Sequence, residues 1–186
     1  LYQAASGRLV ERGFSAIGID HFARPGDDLG KAGESGRLHR NFQGYTTDQA
    51  DILIGLGASA IGALPQGYVQ NATQVPDYRR AIEAGRLATV RGLELNADDR
   101  LRRDVIERLM CDLSVDLGAV SARHGGDPAI FSEALVALEP MRRDGLVTIS
   151  GDRVTVAPAG RTVVRLACAA FDRYLAQGKA RHSSAI

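Results

Sequence analysis

The chain has 186 residues, 45% of them hydrophobic and 24% charged, with a net charge of +1 at pH 7; this is ordinary globular composition, long enough for one domain or two small ones around a real core. No apolar run approaches the ~18 residues of a membrane-spanning helix, and no basic-then-apolar leader precedes a cleavage site. Residues 1–95 carry ten Arg or Lys against ten Asp or Glu, and 96–186 carry thirteen against twelve, so neither half has the basic excess of a nucleic-acid or membrane-surface binder.

In chain order, "YQAASGRLVERG" (Tyr2–Gly13) reads as a short helix with Leu9 and Val10 on its apolar face and Gly13 as its stop. "FSAIGIDHFA" then reads as one strand, Phe14, Ala16, Gly18 and Asp20 alternating against Ile17 and Ile19. A helix feeding an apolar strand is half of a βα repeat, and barrels of such repeats keep functional residues at the C-terminal ends of strands. Asp20 and His21 fall there, and so does a predicted loop from Arg24 to Thr47, far longer than the ~4–6 residues of a plain connection. Inside it, "HRNFQGYTT" (His39–Thr47) crowds amides, aromatics and basic groups into a stretch with neither a helical nor a strand period.

"DILIGLGASAIGAL" (Asp51–Leu64) follows as a second apolar strand. Its "GLGASA" has the outline of a dinucleotide-binding turn, but Gly62, Pro65 and Gly67 break the helix that such a turn must open. Glycines that admit a neighbouring backbone or a ligand are the reading favoured here. From about Leu87 the character changes. "NADDRLRRDVIERLMCDL" predicts a helix capped by Asn96, with Leu101, Val105, Leu109 and Met110 on one face. A second helix starts near Pro128, "LVTISGDRVTVAP" predicts a hairpin turning at Ser150–Asp152, and a last helix spans about Ala159 to Leu175. This order predicts a small winged-helix-like α+β domain over residues 91–186, after a first domain over 1–90. Cys111 and Cys168, inside amphipathic segments, read as buried hydrophobes of a reducing cytoplasm.

"GIDHFARPGDDL", "LHRNFQGYTT", "GLGASAIG" and "YVQN" stand in the order and spacing of one family. The chain resembles the C-terminal part of oxygen-independent coproporphyrinogen III oxidases, radical S-adenosylmethionine enzymes of haem biosynthesis. The likeness extends through "YRRAIEAG" and "NADDRLRRDVIERLMC" to the closing helix. It implies an α/β fold: the last βα elements of a partial, TIM-like radical barrel, followed by the winged-helix-like domain. It further implies a cytoplasmic enzyme, monomeric when whole, that oxidatively decarboxylates two propionates of coproporphyrinogen III to vinyl groups, giving protoporphyrinogen IX through a 5′-deoxyadenosyl radical and passing electrons to an acceptor. S-adenosylmethionine and a [4Fe–4S] cluster are the implied cofactors. The family's CxxxCxxC cluster motif is absent from these 186 residues, and two cysteines cannot supply three thiolates. The chain starts at Leu1, without a methionine, so a longer polypeptide is expected. By itself the chain is expected to be inactive and to self-associate through apolar strand edges.

By the same resemblance, Phe42 and Gln43 line the cofactor and substrate pocket, and Ile61 contacts the adenine of S-adenosylmethionine. Polar and aromatic groups crowding a long strand-end loop favour the same role for the first two, with a hydrogen-bonded loop packed on the barrel rim as the alternative; read without the resemblance, Ile61 belongs to a core. His39, Arg40, Arg24 and His21 are candidates for the substrate's propionates, because guanidinium groups bind carboxylates bidentately. A solvated surface is the alternative for the arginines, and a structural pair holding the loop is the alternative for Asp20 with His21. The competing function is a winged-helix module that contacts a protein partner or nucleic acid. "PAIFSEALVALE", its candidate recognition helix, has two glutamates and no cation, the wrong chemistry for phosphates or base edges.

Overall fold

The computed structural model describes residues 1–175. Packing gathers them into two units, one made of Leu1–Thr47 with the chain from Leu101 onward, the other of Asp48–Arg100. The first unit is therefore discontinuous, and its division differs from a cut at residue 90. The part of the expected 91–186 domain beyond 175 lies outside the described residues.

The first unit opens with helix α1 (Tyr2–Glu11), and Gly13, at φ +81°, ends it as the sequence predicts. The expected single strand over Phe14–Ala23 is instead a hairpin of β1 (Ser15–Ile17) and β2 (His21–Ala23), paired antiparallel. The alternation of apolar residues was real, but Gly18 at φ +51° turns the chain back on itself. The expected open loop from Arg24 to Thr47 is also structured. Helix α2 (Asp28–Glu34) is capped by the Asp27 carboxylate, which accepts the Leu29 N–H at 2.9 Å, and strands β3 (His39–Arg40) and β4 (Tyr45–Thr46) form a second hairpin.

The second unit holds β5 (Ile61–Leu64), β6 (Gly67–Asn71), helix α3 (Val75–Glu83) and β7 (Thr89–Glu94), with the strands in the order β5–β6–β7. The predicted strand from Asp51 is extended but pairs only through one bridge, Leu53 with Ala63, before β5 begins. A Cβ on Gly62 would stand 2.9 Å from the Leu53 carbonyl oxygen, so this glycine serves the approach of a neighbouring backbone. "GLGASA" holds a turn and leads into β5.

Helix α4 (Ala97–Asp112) starts at the predicted cap. Asn96 Oδ1 accepts the Asp99 N–H at 2.9 Å and Asp99 Oδ2 accepts the Asn96 N–H at 3.0 Å, a reciprocal capping box. Leu101, Val105 and Leu109 repeat every four residues and are at most 4% exposed, so this stripe seats α4 in the main core. The chain continues with β8 (Ser114–Asp116), α5 (Leu117–Arg123), a 3-10 turn at Pro128–Phe131, α6 (Ser132–Ala137) and α7 (Glu139–Arg143). The helix expected from Pro128 begins instead as the 3-10 turn, and α6 and α7 are separated at Leu138, ahead of Pro140, which cannot donate a helical hydrogen bond. Strands β9 (Val147–Ser150) and β10 (Arg153–Val156) form the predicted hairpin, and β8 joins it in the order β8–β10–β9. The closing segment is a 3-10 stretch, Pro158–Val163, leading into α8 (Val164–Ala169), shorter than the predicted helix. Phe131 and Phe171 meet edge to face, 5.6 Å apart, inside this core.

Every strand ladder among the described residues is antiparallel. The α/β composition holds, but no barrel closes within this stretch of chain.

Candidate functional site

"HRNFQGYTT" is the β3–β4 hairpin. Two-residue strands are too short to show a period, which is why none is visible in the sequence. His39 pairs with Thr46 and Arg40 with Tyr45. Asn41 closes the tip: its N–H donates to the Gly44 carbonyl at 3.0 Å, and its Oδ1 accepts the N–H groups of Gln43 at 2.9 Å and Gly44 at 3.1 Å. Phe42, 50% exposed, and the exposed Gln43 are thereby presented at the outermost point of the turn.

Beneath the tip stands Tyr45, a buried residue. Its hydroxyl accepts the Ile19 N–H at 3.0 Å and donates to the Met110 carbonyl at 3.1 Å, tying the hairpin to the β1–β2 turn and to the end of α4. Burial pushes the phenol above its ordinary value of 10.0, although the bond to Ile19 and the charge of Arg40 pull the other way. His21 meets the Tyr45 ring edge-on at 5.0 Å, and the Arg40 guanidinium lies 5.4 Å from its centre. Gly18 is needed here for two reasons: its backbone is left-handed, and a Cβ would overlap the Tyr45 ring.

Helix α4 supplies the remaining anchors. Glu107 Oε1 accepts the Arg40 N–H at 3.1 Å and stands 3.2 Å from His39 Nδ1. Arg108 donates to the carbonyls of Gly36 at 3.2 Å and Leu38 at 2.6 Å, and to Asp112 at 2.7 Å. Asp112 Oδ1 is buried without a hydrogen-bond partner, and burial raises this carboxyl's pKa despite the neighbouring Arg108. Arg161, from the closing segment, donates to the Gly18 carbonyl at 2.6 Å.

The structure thus sets His21 and Arg40 against the Tyr45 ring and places His39, Phe42 and Gln43 on the same hairpin. Asp20 and His21 pair as expected, Oδ1 to Nδ1 at 2.8 Å, but in a hairpin turn and not at the end of a barrel strand. Arg24 is engaged elsewhere, its guanidinium 5.6 Å from the Phe14 ring centre. Ile61 belongs to the second unit, where it is partly buried in β5 opposite Gln70. Tyr45, Glu107 and Gly18 are the residues that sequence reasoning did not single out. Tyr45 alone gave a signal, as an aromatic in a segment without a period.

A cleft of about 260 Å³ opens in this unit, lined by Ile17, Gly18, Leu38, Asp112 and Arg161 among others. It is below the ~300–1,000 Å³ of ordinary ligand pockets, and neither Phe42 nor Gln43 lines it. The two cysteines are buried free thiols, and burial pushes both up to about 12. Cluster ligation needs thiolates, and among the described residues no three His, Cys, Asp or Glu side chains are grouped to hold a metal. The residues present do not fit an iron–sulfur cluster.

Residues 95–163 match the HemN C-terminal domain family. The chain is 52% identical over 183 residues to the oxygen-independent coproporphyrinogen III oxidase of Bradyrhizobium diazoefficiens, covering 98% of this chain and 41% of that protein. The oxidase of the same name from Salmonella typhimurium is 44% identical over 174 residues, 93% of this chain and 38% of the relative. Among solved structures, the coproporphyrinogen III oxidase HemN of Escherichia coli, described as a radical SAM enzyme, superposes with a TM-score of 0.87 at 38% identity, over 93% of this chain and 40% of that one. Residues 95–163 are therefore similar to HemN C-terminal domains. Along almost all its length the chain is similar to oxygen-independent coproporphyrinogen III oxidases, of which it spans about 40% of the length.

Proposed function

We propose that the chain is the pocket-forming C-terminal portion of an oxygen-independent coproporphyrinogen III oxidase, an oxidoreductase of haem and porphyrin biosynthesis. The whole enzyme removes carbon dioxide, a proton and two electrons from each of two propionates of coproporphyrinogen III, leaving vinyl groups, and an electron acceptor takes up the electrons. The observation that carries this reading is the β3–β4 hairpin: an exposed Phe42–Gln43 tip held by a buried tyrosine and by α4, in a chain similar to these oxidases along almost all its length.

Within that enzyme the tip turns an amide and an aromatic ring toward the reacting partners. Gln43 hydrogen-bonds a carboxylate or an adenine edge, and Phe42 excludes water. Ile61 in β5 forms an apolar wall against the adenine. His39, Arg40 and His21 surround the base of the hairpin and suit the propionates. Arg24, placed over Phe14, is the weakest member of that set. S-adenosylmethionine and a [4Fe–4S] cluster supply the radical chemistry in the whole enzyme, from ligands outside these 186 residues. Residues 1–90 take part in the barrel and 91–186 form the appended domain. The order α4, β8, α5, α6–α7, β9, β10 suits a winged helix, and exposed Ile130 and Val136 give it a protein-contacting face more than a DNA-binding one. Two free thiols suit a reducing cytoplasm.

Anaerobic reconstitution with iron and sulfide tests the assignment. The chain alone should gain no stoichiometric cluster absorbance and, with reductant and S-adenosylmethionine, release no 5′-deoxyadenosine. A polypeptide extended to the relatives' length should do both and convert coproporphyrinogen III. Cofactor cleavage by the 186 residues alone would overturn the division of labour.

A further inference from the structure

We propose that the HemN C-terminal domain positions the Phe42–Gln43 tip through one carboxylate, Glu107. The inference rests on the reading that the tip faces the chemistry, and it gives the appended domain a task in that reaction.

The β3–β4 ladder has two residues on each side, too little pairing to fix a hairpin by itself. The hydrogen bonds of Asn41 stay within the turn, to Gln43 and Gly44. Helix α4, by contrast, grips both strands of the hairpin. Glu107 Oε1 takes the Arg40 N–H at 3.1 Å and faces His39 Nδ1 at 3.2 Å, so a single oxygen engages both residues of β3. One position on, Arg108 holds the carbonyls of Gly36 and Leu38 that lead into β3. On the exit strand, the Tyr45 hydroxyl reaches the Met110 carbonyl. Residues 107–110 all lie inside the stretch that matches the HemN C-terminal domain.

Glu107 is the informative member of this set. Its side chain is 24% exposed, whereas Leu38 and Tyr45 are core. Removing its carboxylate releases the Arg40 N–H and His39 while Arg108 and the apolar packing beneath the hairpin stay in place. It is a positioning residue: it acts through β3 on a tip three and four residues beyond His39.

Two variants separate the possibilities. Glu107→Ala removes the acceptor, and Glu107→Gln keeps an oxygen that can still take the Arg40 N–H. Hydrogen exchange on the chain reads the grip without any turnover. The Arg40 amide should exchange faster in Glu107→Ala, as in the parent in Glu107→Gln, with the β8–β10–β9 amides unmoved in both. Unchanged Arg40 exchange in Glu107→Ala overturns the proposal.

In the full-length oxidase carrying this segment, Glu107→Ala should lower kcat on the order of tenfold, while KM for the porphyrinogen moves less than about twofold. Glu107→Gln should restore turnover. The double variant with Gln43→Ala should be no slower than Gln43→Ala alone, because Glu107 acts through the tip. Additive losses would mark a merely structural role and overturn the proposal. The two readings fail differently: a fully active Gln43→Ala refutes the assignment of the tip, whereas a slow Gln43→Ala beside a fully active Glu107→Ala refutes the positioning role alone.

Discussion

One phenol, that of Tyr45, joins the β1–β2 turn, the hairpin and the end of α4. Tyr45→Phe keeps the ring but strips the partners from the Ile19 N–H and the Met110 carbonyl, and should cost about 1–3 kcal/mol in urea unfolding. An unchanged midpoint would show that water replaces the hydroxyl at no cost. Gly18→Ala should be worse, since the new methyl group meets the Tyr45 ring on a left-handed backbone; a loss above ~2 kcal/mol is expected in the same measurement. The buried thiols set a pH limit. Cys111 and Cys168 ionise at about 12 when folded against 9.0 ordinarily, so both states are neutral below 9.0 and full stability is kept there. Above it the unfolded chain loses its thiol protons first, and stability should fall from about pH 9 towards 12. A melting temperature that holds steady across that window would contradict the burial of these groups. None of these contacts could be read from the sequence: Tyr45 and Met110 are 65 positions apart, and no local pattern announces such a bond. The segment His39–Thr47 stood out because it follows no period, and Phe42 and Gln43 within it were singled out by the family resemblance; the structure exposes both at the hairpin tip.

Elements with a strong local rule were legible. The start of α4 could be read from Asn96 followed by acids, and its buried stripe from the spacing of Leu101, Val105 and Leu109. The β9–β10 hairpin followed from alternation broken at Gly151, which indeed takes φ +56°. What failed was the segment from Phe14 to Thr47. A three-residue strand has the same alternation as half of a longer one, so β1 and β2 merged into a single predicted strand. The helix α2, seven residues capped by Asp27, was lost inside a presumed loop. These elements set the expected site of limited proteolysis. The Arg24–Thr47 stretch is hydrogen-bonded at both of its elements, whereas residues 48–60 lack regular structure apart from the Leu53 bridge and expose Ile52, Ile54 and Leu56. Brief protease treatment should cut within 48–60 first. First cuts between Arg24 and Thr47, read by mass spectrometry, would contradict the hairpin and its anchors.

At the scale of the whole molecule, the proposed site residues Phe42 and Gln43 stand exposed, outside the cleft found among the described residues. Ile54 and Leu56 are 73% and 86% exposed, and β7 is exposed along its length. In water such exposed apolar side chains favour burial against another surface. The central claim is that these 186 residues do the work of the matching segment in a coproporphyrinogen III oxidase. A chimera tests it most directly: the segment of the Escherichia coli oxidase that superposes on this chain is replaced by this chain, and anaerobic conversion of coproporphyrinogen III is measured. The account predicts turnover within about tenfold of the parent enzyme, equivalent to roughly 1.4 kcal/mol in the barrier, and a further loss on Gln43→Ala. A folded chimera that retains the parent's cluster absorbance yet converts no substrate would contradict it.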